Sequence, residues 1–292
     1  FGTVWVQDPF VLYRSYLWAI TLPCLIALAC VGFQPKSLLI LGAILLLGFG
    51  GLALERKLSL RDGLTAWADA AAKIDQQAPQ NAVGRWQAFL NLGAYHIESG
   101  SLQEAEKALR TSIKMGETKG YALFNLGLVV QKQRKHAEAL TLFSQSEAQG
   151  FQPAIAHYYR GASLFALQRF SEAYTQLSAG IDAENSAGGN IGLKPDESFD
   201  LRALRGEAAI ALKQYPVALT DFQALLKVQP QSSRVQQGLG MALIGLGQSE
   251  SALVVFDQLL TTRPTAQAWY GRAMAHFHAG RKTESLADLD RA

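Results

Sequence analysis

The residues that could act as acids, bases or metal ligands are scattered along the chain. A transition-metal site needs histidine, cysteine or carboxylate ligands at fixed spacings. His276 and His278 stand two positions apart, so they cannot share one face of a helix. None of the histidines has a partner at metal-ligand spacing, and the five are His96, His136, His157, His276 and His278. The sequence therefore predicts neither a metal site nor a catalytic residue in this chain.

Two other features could carry chemistry, and both have a simpler explanation. The glycine-rich stretch GGNIG at 188–192 lacks the lysine and the preceding strand that a phosphate-binding loop requires. Cys24 and Cys30 lie in an apolar run, where free cysteine packs as a small apolar residue. We therefore expect no cofactor.

The charges are few and unevenly spread. The 292 residues include 27 lysines and arginines against 24 aspartates and glutamates, a net charge of +3. No long basic block exists, so the chain lacks the electrostatic footprint of a nucleic-acid-binding protein. Residues 17–54 carry a single charge, at Lys36. An apolar part near the start is thus followed by a chain of ordinary polarity.

Two uncharged apolar runs, Leu17–Phe33 and Ser37–Leu54, fill the apolar part. Each is long enough to cross about 30 Å of hydrocarbon as a helix. The residues QPK at 34–36 predict a tight turn between them, so we expect two transmembrane helices in a hairpin, with lipid around 17–54. Segment 1–16 precedes the membrane. Two buried helices of a soluble core are the alternative.

A sequence pattern with a period of about 34 residues, called the frame below, recurs from residue 86 onward. Position eight is Gly or Ala, position twenty is small and position twenty-four is large and apolar. In the first copy Gly93, Ala105 and Leu109 hold these positions. A glycine near position fifteen is expected to end the first helix, and a proline at thirty-two the second. The frame resembles the tetratricopeptide repeat, whose helical hairpins stack on their neighbours.

The predicted fold is all-α, with the transmembrane hairpin followed by an α-solenoid of five to six helix-turn-helix repeats. Residues 55–85 form a linker, in which Ser59–Gln77 has an amphipathic helical pattern. Segment 183–198 is rich in Gly, Ser and Asn and predicts a surface loop, either a disordered linker or a partner-binding loop. The solenoid covers 86–292, with copies at 86–119, 120–153, 154–182, 199–232, 233–265 and 266–292.

In this type of array the first helix of each hairpin lines a concave groove with its second, fifth, ninth and twelfth positions. Those positions are mostly aromatic and aliphatic here. Some tetratricopeptide proteins hold a peptide's C-terminal carboxylate with Lys, Arg and Asn, and we expect that cluster to be absent. An apolar peptide or helix is therefore the expected partner, unless the aromatic residues pack within the repeats. The candidate partner-binding residues are Tyr121, Phe124, Leu128, Gln131, Tyr158, Phe165, Glu207, Tyr270, Met274 and Phe277.

The residues around the apolar runs resemble the C-terminal part of larger membrane proteins. YRSY at 13–16 precedes the first run, whereas PQNA at 79–82 and NLG at 91–93 follow the second. This order is similar to the repeat-bearing, O-mannosyltransferase-like glycosyltransferases of the membrane-embedded GT-C class and their bacterial relatives. The resemblance implies a lipid-linked sugar donor and an acidic catalytic residue in an early loop. That loop is absent from this sequence, so no catalytic residue carries over.

The side of the membrane on which the repeats lie has two opposing predictions. Arg14, Arg56, Lys57 and Arg61 flank the outer ends of the hairpin, and Lys36 alone lies at its turn. The positive-inside rule then places the repeats in the cytoplasm. The topology of the resembled family places them outside the cytoplasm, on the bacterial inner membrane. We expect the repeats to lie outside the cytoplasm, as in the resembled family, since the charges of one segment are only part of those that determine membrane orientation.

Two functions fit these patterns. In the first, the chain is a membrane-anchored scaffold that binds a protein or peptide through an apolar groove. In the second, it is the acceptor-binding end of a GT-C-type glycosyltransferase whose catalytic region is not in this chain. The chain starts with Phe and stops within a helical pattern, which predicts a segment of a longer protein.

Overall fold

The computed structural model describes residues 34–59, 61–75, 85–151, 153–188 and 191–292. Within these ranges all the regular elements are α-helices. The chain divides into an N-terminal unit, up to Asn125, and a C-terminal unit, from Leu126 onward. The boundary falls inside one helix, and each unit is described by itself.

The helices follow one another with short connections. The N-terminal unit contains α1 (Pro35–Ser59), α2 (Gly63–Ala72), α3 (Arg85–Glu98), α4 (Leu102–Lys114) and the start of α5 (Tyr121–Lys132). The C-terminal unit continues with α6 (His136–Ala148), α7 (Ala156–Ala166), α8 (Phe170–Ser186), α9 (Pro195–Ala211), α10 (Tyr215–Val228), α11 (Ser233–Gly245), α12 (Ser249–Thr262), α13 (Ala266–His278) and α14 (Lys282–Leu289). From α3 onward they form the predicted succession of hairpins.

Helix α1 is apolar over most of its length and carries charged residues near its two ends. Its segment Lys36–Leu54 has a mean hydropathy of 2.4, and none of it is buried against the rest of the chain. By length and composition alone this helix could cross a membrane. Pro35 and Lys36 were expected in a turn, but they begin the helix, because proline fits the first helical turn. The other predicted run, Leu17–Phe33, lies outside the described residues.

Helix α2 is shorter than the predicted helix Ser59–Gln77. The carboxylate of Asp62 accepts a hydrogen bond from the backbone N–H of Thr65 at 2.8 Å and so caps a new helix. The cap separates α2 from α1, which continues to Ser59. A Cβ on the first residue of α2 would lie 1.9 Å from the hydroxyl oxygen of Tyr95, so α2 packs tightly on α3.

The small residue at position eight touches the large one at position twenty-four of the same hairpin. A Cβ added to Gly93 would lie 2.6 Å from Cγ of Leu109, and one on Gly206 would lie 2.9 Å from the ring of Phe222. Close approach of the two helices thus depends on the missing side chain. The residues at position twenty are likewise small and buried, namely Ala105, Ala139, Ala173, Ala218, Ala252 and Ser285.

The large residue at position twenty-four also joins one hairpin to the next. A Cβ on Gly238 of α11 would lie 2.3 Å from Phe222, and one on Gly271 of α13 would lie 2.3 Å from Phe256. Both phenylalanine rings are fully buried. Each ring therefore fills two spaces left by glycines, one in its own hairpin and one in the next hairpin.

Every hairpin turns on a residue with positive φ at position fifteen. Three copies have the expected glycine, at Gly100, Gly247 and Gly280. The other three have Arg134, Gln168 and Lys213, with φ of 64°, 58° and 60°. The backbone of these three residues is in the left-handed conformation, which glycine adopts without strain. The sequence did not reveal these three turns, because the glycine signal is missing from them.

The predicted loop 183–198 is wrong in extent. Helix α8 continues through Ser186, and α9 already begins at Pro195. The side chain of Glu197 accepts a hydrogen bond from the backbone N–H of Lys194 at 2.9 Å. This bond caps the start of α9, where Pro195 is the first helical residue. The polar residues of this segment thus belong partly to two helices of 17 residues each.

Candidate functional site

The first helices of successive hairpins lie on the inner side of the C-terminal unit. Helix α7 contacts α9, α9 contacts α11 and α11 contacts α13. The second helices α8, α10 and α12, all within the described ranges, make no comparable contacts with one another. A stack whose first helices lie closer together must curve around them, so α7, α9, α11 and α13 form a concave face.

The outer side of the same unit is correspondingly open. A furrow of about 680 Å³ lies between the second helices α6 and α8. Leu140 and Ser144 of α6 line it together with Thr175 of α8, and Leu164 of α7 is also part of its lining. The second helices are thus separated by open space on this side, whereas the first helices contact one another on the concave face.

The first helices of the last two hairpins, α11 and α13, give the concave face its exposed apolar surface. Tyr270 is 50% exposed and Phe277 is 58% exposed, both on α13. Met274 lies between them and is half-buried, as is Met241 on α11. These four residues are called the apolar patch below. Three of them were predicted as groove residues, and Met241 was not.

Several other predicted groove residues have little surface to offer. Phe124 is 1% exposed and Leu128 is 3% exposed. Phe165 is half-buried, and its ring packs edge-to-face on that of Phe170 at 5.4 Å between centroids. Tyr121, in the N-terminal unit, is also half-buried. The alternative that aromatic residues pack within the repeats thus describes Phe124 and Phe165.

Gln131 has a structural role that the sequence did not indicate. Its side-chain Nε2 donates to the backbone carbonyl of Tyr159 at 2.7 Å and lies 2.8 Å from Oγ of Ser163. It thereby ties α5 to α7 across consecutive hairpins. A side chain that makes both contacts is held in place and is poorly available to a partner.

Glu207 belongs to an ion network that joins α9 to α11. Arg234 donates from Nε and Nη2 to the two carboxylate oxygens of Glu207, at 2.5 and 3.1 Å. Its Nη1 donates to Oδ1 of Asp200 at 2.6 Å. Burial acts to lower the pKa of Arg234, but the hydrogen bonds to Glu207 and Asp200 outweigh it and leave the pKa raised. The guanidinium charge is therefore shared between two carboxylates.

Two tyrosines of α7 border this network. The hydroxyl of Tyr159 donates to Glu197 at 2.8 Å. Burial raises the pKa of Tyr158, and the nearby charges of Asp200 and Glu197 raise it further, whereas Arg234 opposes them. Tyr158 thus stays a neutral phenol beside the ion network. The concave face is polar from α7 to α11 and apolar from α11 to α13.

Arg234 is the residue that sequence reasoning missed. It stands at the second position of the fifth copy, and the register used for the other copies identifies it directly. The same register assigns Gln237, Met241 and Ile244 to the groove. One groove position is therefore occupied by an arginine. Because Glu207 and Asp200 already neutralise Arg234, the arginine does not form a free carboxylate-binding cluster.

The titratable residues of the described ranges form no metal-binding group. His157 is in hydrogen-bond contact with Gln176, Nδ1 to Oε1 at 3.1 Å. His276 lies 3.8 Å from a carboxylate oxygen of Asp288. Cys24 and Cys30 lie outside the described residues.

The sequence model of the tetratricopeptide repeat matches residues 90–153, 124–187, 203–253 and 238–292, together more than half of the chain. The chain belongs to the tetratricopeptide repeat family. The six position-fifteen turns and the buried small residues at position twenty are the structural form of this tetratricopeptide pattern. A comparison with curated proteins finds no match.

Solved tetratricopeptide structures share the fold. YrrB, described as a TPR protein with an unusual peptide-binding site, is 19% identical with a TM-score of 0.51, over 64% of this chain and 91% of its own. A double mutant of MamA is 18% identical with a TM-score of 0.51, over 61% and 94%. Another MamA crystal structure is 18% identical with a TM-score of 0.50, over 60% and 90%. At these identities the likeness shows the fold alone.

Proposed function

We propose that this chain is a membrane-anchored tetratricopeptide scaffold that binds a partner protein through an apolar segment. The observation that carries the proposal is the exposure of Tyr270 and Phe277 on the concave face, at 50% and 58%. Membership of the repeat family supports a role in protein–protein interaction.

The apolar patch has the composition of a binding hot spot. Aromatic side chains each bury about 150–250 Å² when covered, and truncation of a central hot-spot residue typically costs about 2 kcal/mol or more. Methionine adapts its shape to different partners, so Met241 and Met274 suit an irregular apolar surface. A partner helix or peptide that covers the patch would remove this surface from water.

Helix α1 supports the membrane part of the proposal. Leu39, Leu46 and Leu47 are each 75% exposed, which water does not favour but lipid does. Lys36 precedes the apolar segment, and Lys57 and Arg61 follow it, as expected for residues at the two interfaces. We infer that α1 crosses a bacterial inner membrane, with the repeats outside the cytoplasm.

Partner binding is tested by matched pairs of surface substitutions. The double variant Tyr270→Ser/Phe277→Ser removes the two exposed rings of the apolar patch, whereas Val228→Ser/Val254→Ser removes residues of the second helices that are 71% and 68% exposed. Proteins co-purified from native membranes are quantified by mass spectrometry. We expect at least a tenfold loss of partner in the first variant and an unchanged yield in the second. Equal recovery from both variants contradicts the proposal.

Membrane insertion and sidedness are tested separately. The chain should remain in the membrane after extraction at alkaline pH. In intact spheroplasts, added protease should digest the repeats, since they face outward. Release into the alkaline supernatant contradicts the anchor, and protection of the repeats contradicts the extracytoplasmic placement.

A second candidate is the acceptor-binding end of a GT-C-type glycosyltransferase. It rests on the resemblance of the residues at 13–16 and 79–82 and uses the same concave face, here to hold a protein acceptor. Membranes that contain the natural protein should then transfer labelled sugar from a lipid-linked donor to the co-purified partner. A partner that binds but receives no sugar leaves the scaffold as the function.

A further inference from the structure

We infer that the partner of the concave face carries a basic side chain, which binds between α7 and α9, next to the segment that covers the apolar patch. The inference rests on the proposed function and specifies the chemistry of its partner. It follows from the charges around Arg234 and from their distance to the apolar patch.

The ion network has more negative than positive charge. Glu197, Asp200 and Glu207 provide three carboxylates on α9, each half-buried. Arg234 is the cation among them, and Arg263 lines a depression with Arg234 at the start of α11. These five residues thus carry three negative and two positive charges, an excess of one negative charge. A partner that brings one Lys or Arg side chain would complete the balance.

The acceptor atoms for such a side chain are present. Arg234 takes both oxygens of Glu207 but only Oδ1 of Asp200, and Asp200 is 44% exposed in its side chain. The second oxygen of Asp200 is therefore open to an incoming donor. Tyr158 lies beside Asp200 and adds a neutral phenol and an aromatic ring, both of which favour a cation.

An anionic partner fits this surface poorly. To reach Arg234 it would have to displace Glu207 or Asp200, whose hydrogen bonds to the guanidinium are 2.5 and 2.6 Å long. It would also approach the three carboxylates of α9. The arginine thus holds the carboxylates in place rather than recruiting an anion.

The spacing within the partner follows from the helix positions. Neighbouring packed helices lie about 8–10 Å apart, so the carboxylates of α9 and the aromatic rings of α13 are separated by roughly two such distances. Extended chain rises about 3.3 Å per residue. An extended partner would therefore place its basic residue about six positions from its aromatic or aliphatic anchor.

The experiment uses the full chain in lipid nanodiscs and a displayed library of random twelve-residue peptides. Selected peptides should combine an apolar anchor with a Lys or Arg. Their affinity is then measured by fluorescence anisotropy for the wild type and for Asp200→Asn/Glu207→Gln. The matched control is Glu172→Gln/Glu250→Gln, which removes the same charge from exposed ion pairs on second helices. We expect a loss of at least tenfold in the first variant and less than twofold in the control.

A variant of opposite sign separates the inference from a folding defect. Arg234→Gln makes the surface more negative, so it should bind the basic peptide more tightly than the wild type. Replacing the peptide's basic residue with Gln should abolish the differences between variants. Selection of purely apolar or acidic peptides, or equal affinity of all variants, overturns the inference and leaves the partner-binding function standing. Failure to select any peptide contradicts both.

Discussion

Arg205 of α9 holds the carboxylate of Asp221 on α10 with two hydrogen bonds. They run from Nε to Oδ2 at 2.8 Å and from Nη2 to Oδ1 at 2.6 Å. Arg272 and Asp288 repeat this arrangement in the last hairpin, with both bonds at 2.7 Å. Each pair is 16 residues apart and lies beside the contact between positions eight and twenty-four. A bidentate ion pair thus holds the two helices of a hairpin in one fixed register.

Asp221→Asn should strongly destabilise the fourth hairpin. The Asp221 side chain is fully buried, and the loss of its charge leaves Arg205 without its ion-pair partner. Breaking a buried pair in this way typically costs about 3–5 kcal/mol. Urea unfolding followed by circular dichroism measures the effect.

The control for this prediction is the exposed pair Arg169–Glu172, whose side chains are 49% and 57% exposed. Glu172→Gln should change stability by less than about 1 kcal/mol. The double variant Arg205→Met/Asp221→Leu should recover much of the stability lost in Asp221→Asn, because it removes both charges of the buried pair. A similar loss of stability in Asp221→Asn and Glu172→Gln would show that the buried pair does not hold the two helices together.

Gly271→Ala should destabilise the protein, although alanine is the better helix former by about 1 kcal/mol. The new methyl group would lie 2.3 Å from Cε1 of Phe256, the ring that joins the last two hairpins. Overpacking of this kind typically costs about 1–3 kcal/mol. Thermal unfolding of the variant measures the net result.

Two further variants test the cause of that effect. Phe256→Leu combined with Gly271→Ala should be more stable than the sum of the single effects predicts, because the smaller side chain makes room for the methyl group. Gly48→Ala, which has no neighbour within 4 Å, should cause no loss. Strict additivity would contradict the contact between Phe256 and Gly271.

Lys213→Gly should stabilise the fourth hairpin by up to about 1 kcal/mol, since it relieves a left-handed conformation that costs a non-glycine residue about 1–2 kcal/mol. Gly247→Lys, at the same position of the next copy, should destabilise by a similar amount. Denaturation midpoints of the two variants should therefore move in opposite directions. Shifts of the same sign would show that the turn conformation is not what determines them.

The stability of the chain should fall as the pH drops through the histidine range. Burial lowers the pKa of His136, and the charge of Arg134 lowers it further. The unfolded chain then binds a proton at a higher pH than the folded chain, so protonation favours unfolding below about pH 6.5. His136→Gln should lose stability less steeply than the wild type between about pH 7 and 5. Parallel curves would exclude this histidine as a cause.

Much of the repeat architecture could be predicted from local spacing. The pairs Gly93–Leu109 and Gly206–Phe222 recur in a fixed frame, and a frame repeated in several copies identifies the stacked hairpins. The ends of the elements were less accessible. The cap at Asp62 and the helix start at Pro195 depend on one side chain each, and polar composition alone suggested a longer loop.

The candidate site could be predicted only in part. Tyr270 and Phe277 are groove residues by register, and they are exposed on the concave face. Phe124 follows the same register but is buried, since exposure depends on the packing around each copy. The network of Arg234 joins residues 27 and 34 positions apart, and no local pattern indicates that these charges neutralise each other.

Photo-crosslinking in living cells tests the concave binding surface most directly. A photoreactive benzoylphenylalanine replaces Tyr270, which is 50% exposed on α13, or Val254, which is 68% exposed on the second helix α12. After irradiation, crosslinked products are separated by size and identified by mass spectrometry. We predict a discrete protein adduct from position 270 and none from position 254. An adduct from position 254 with none from position 270 would contradict binding at the concave face.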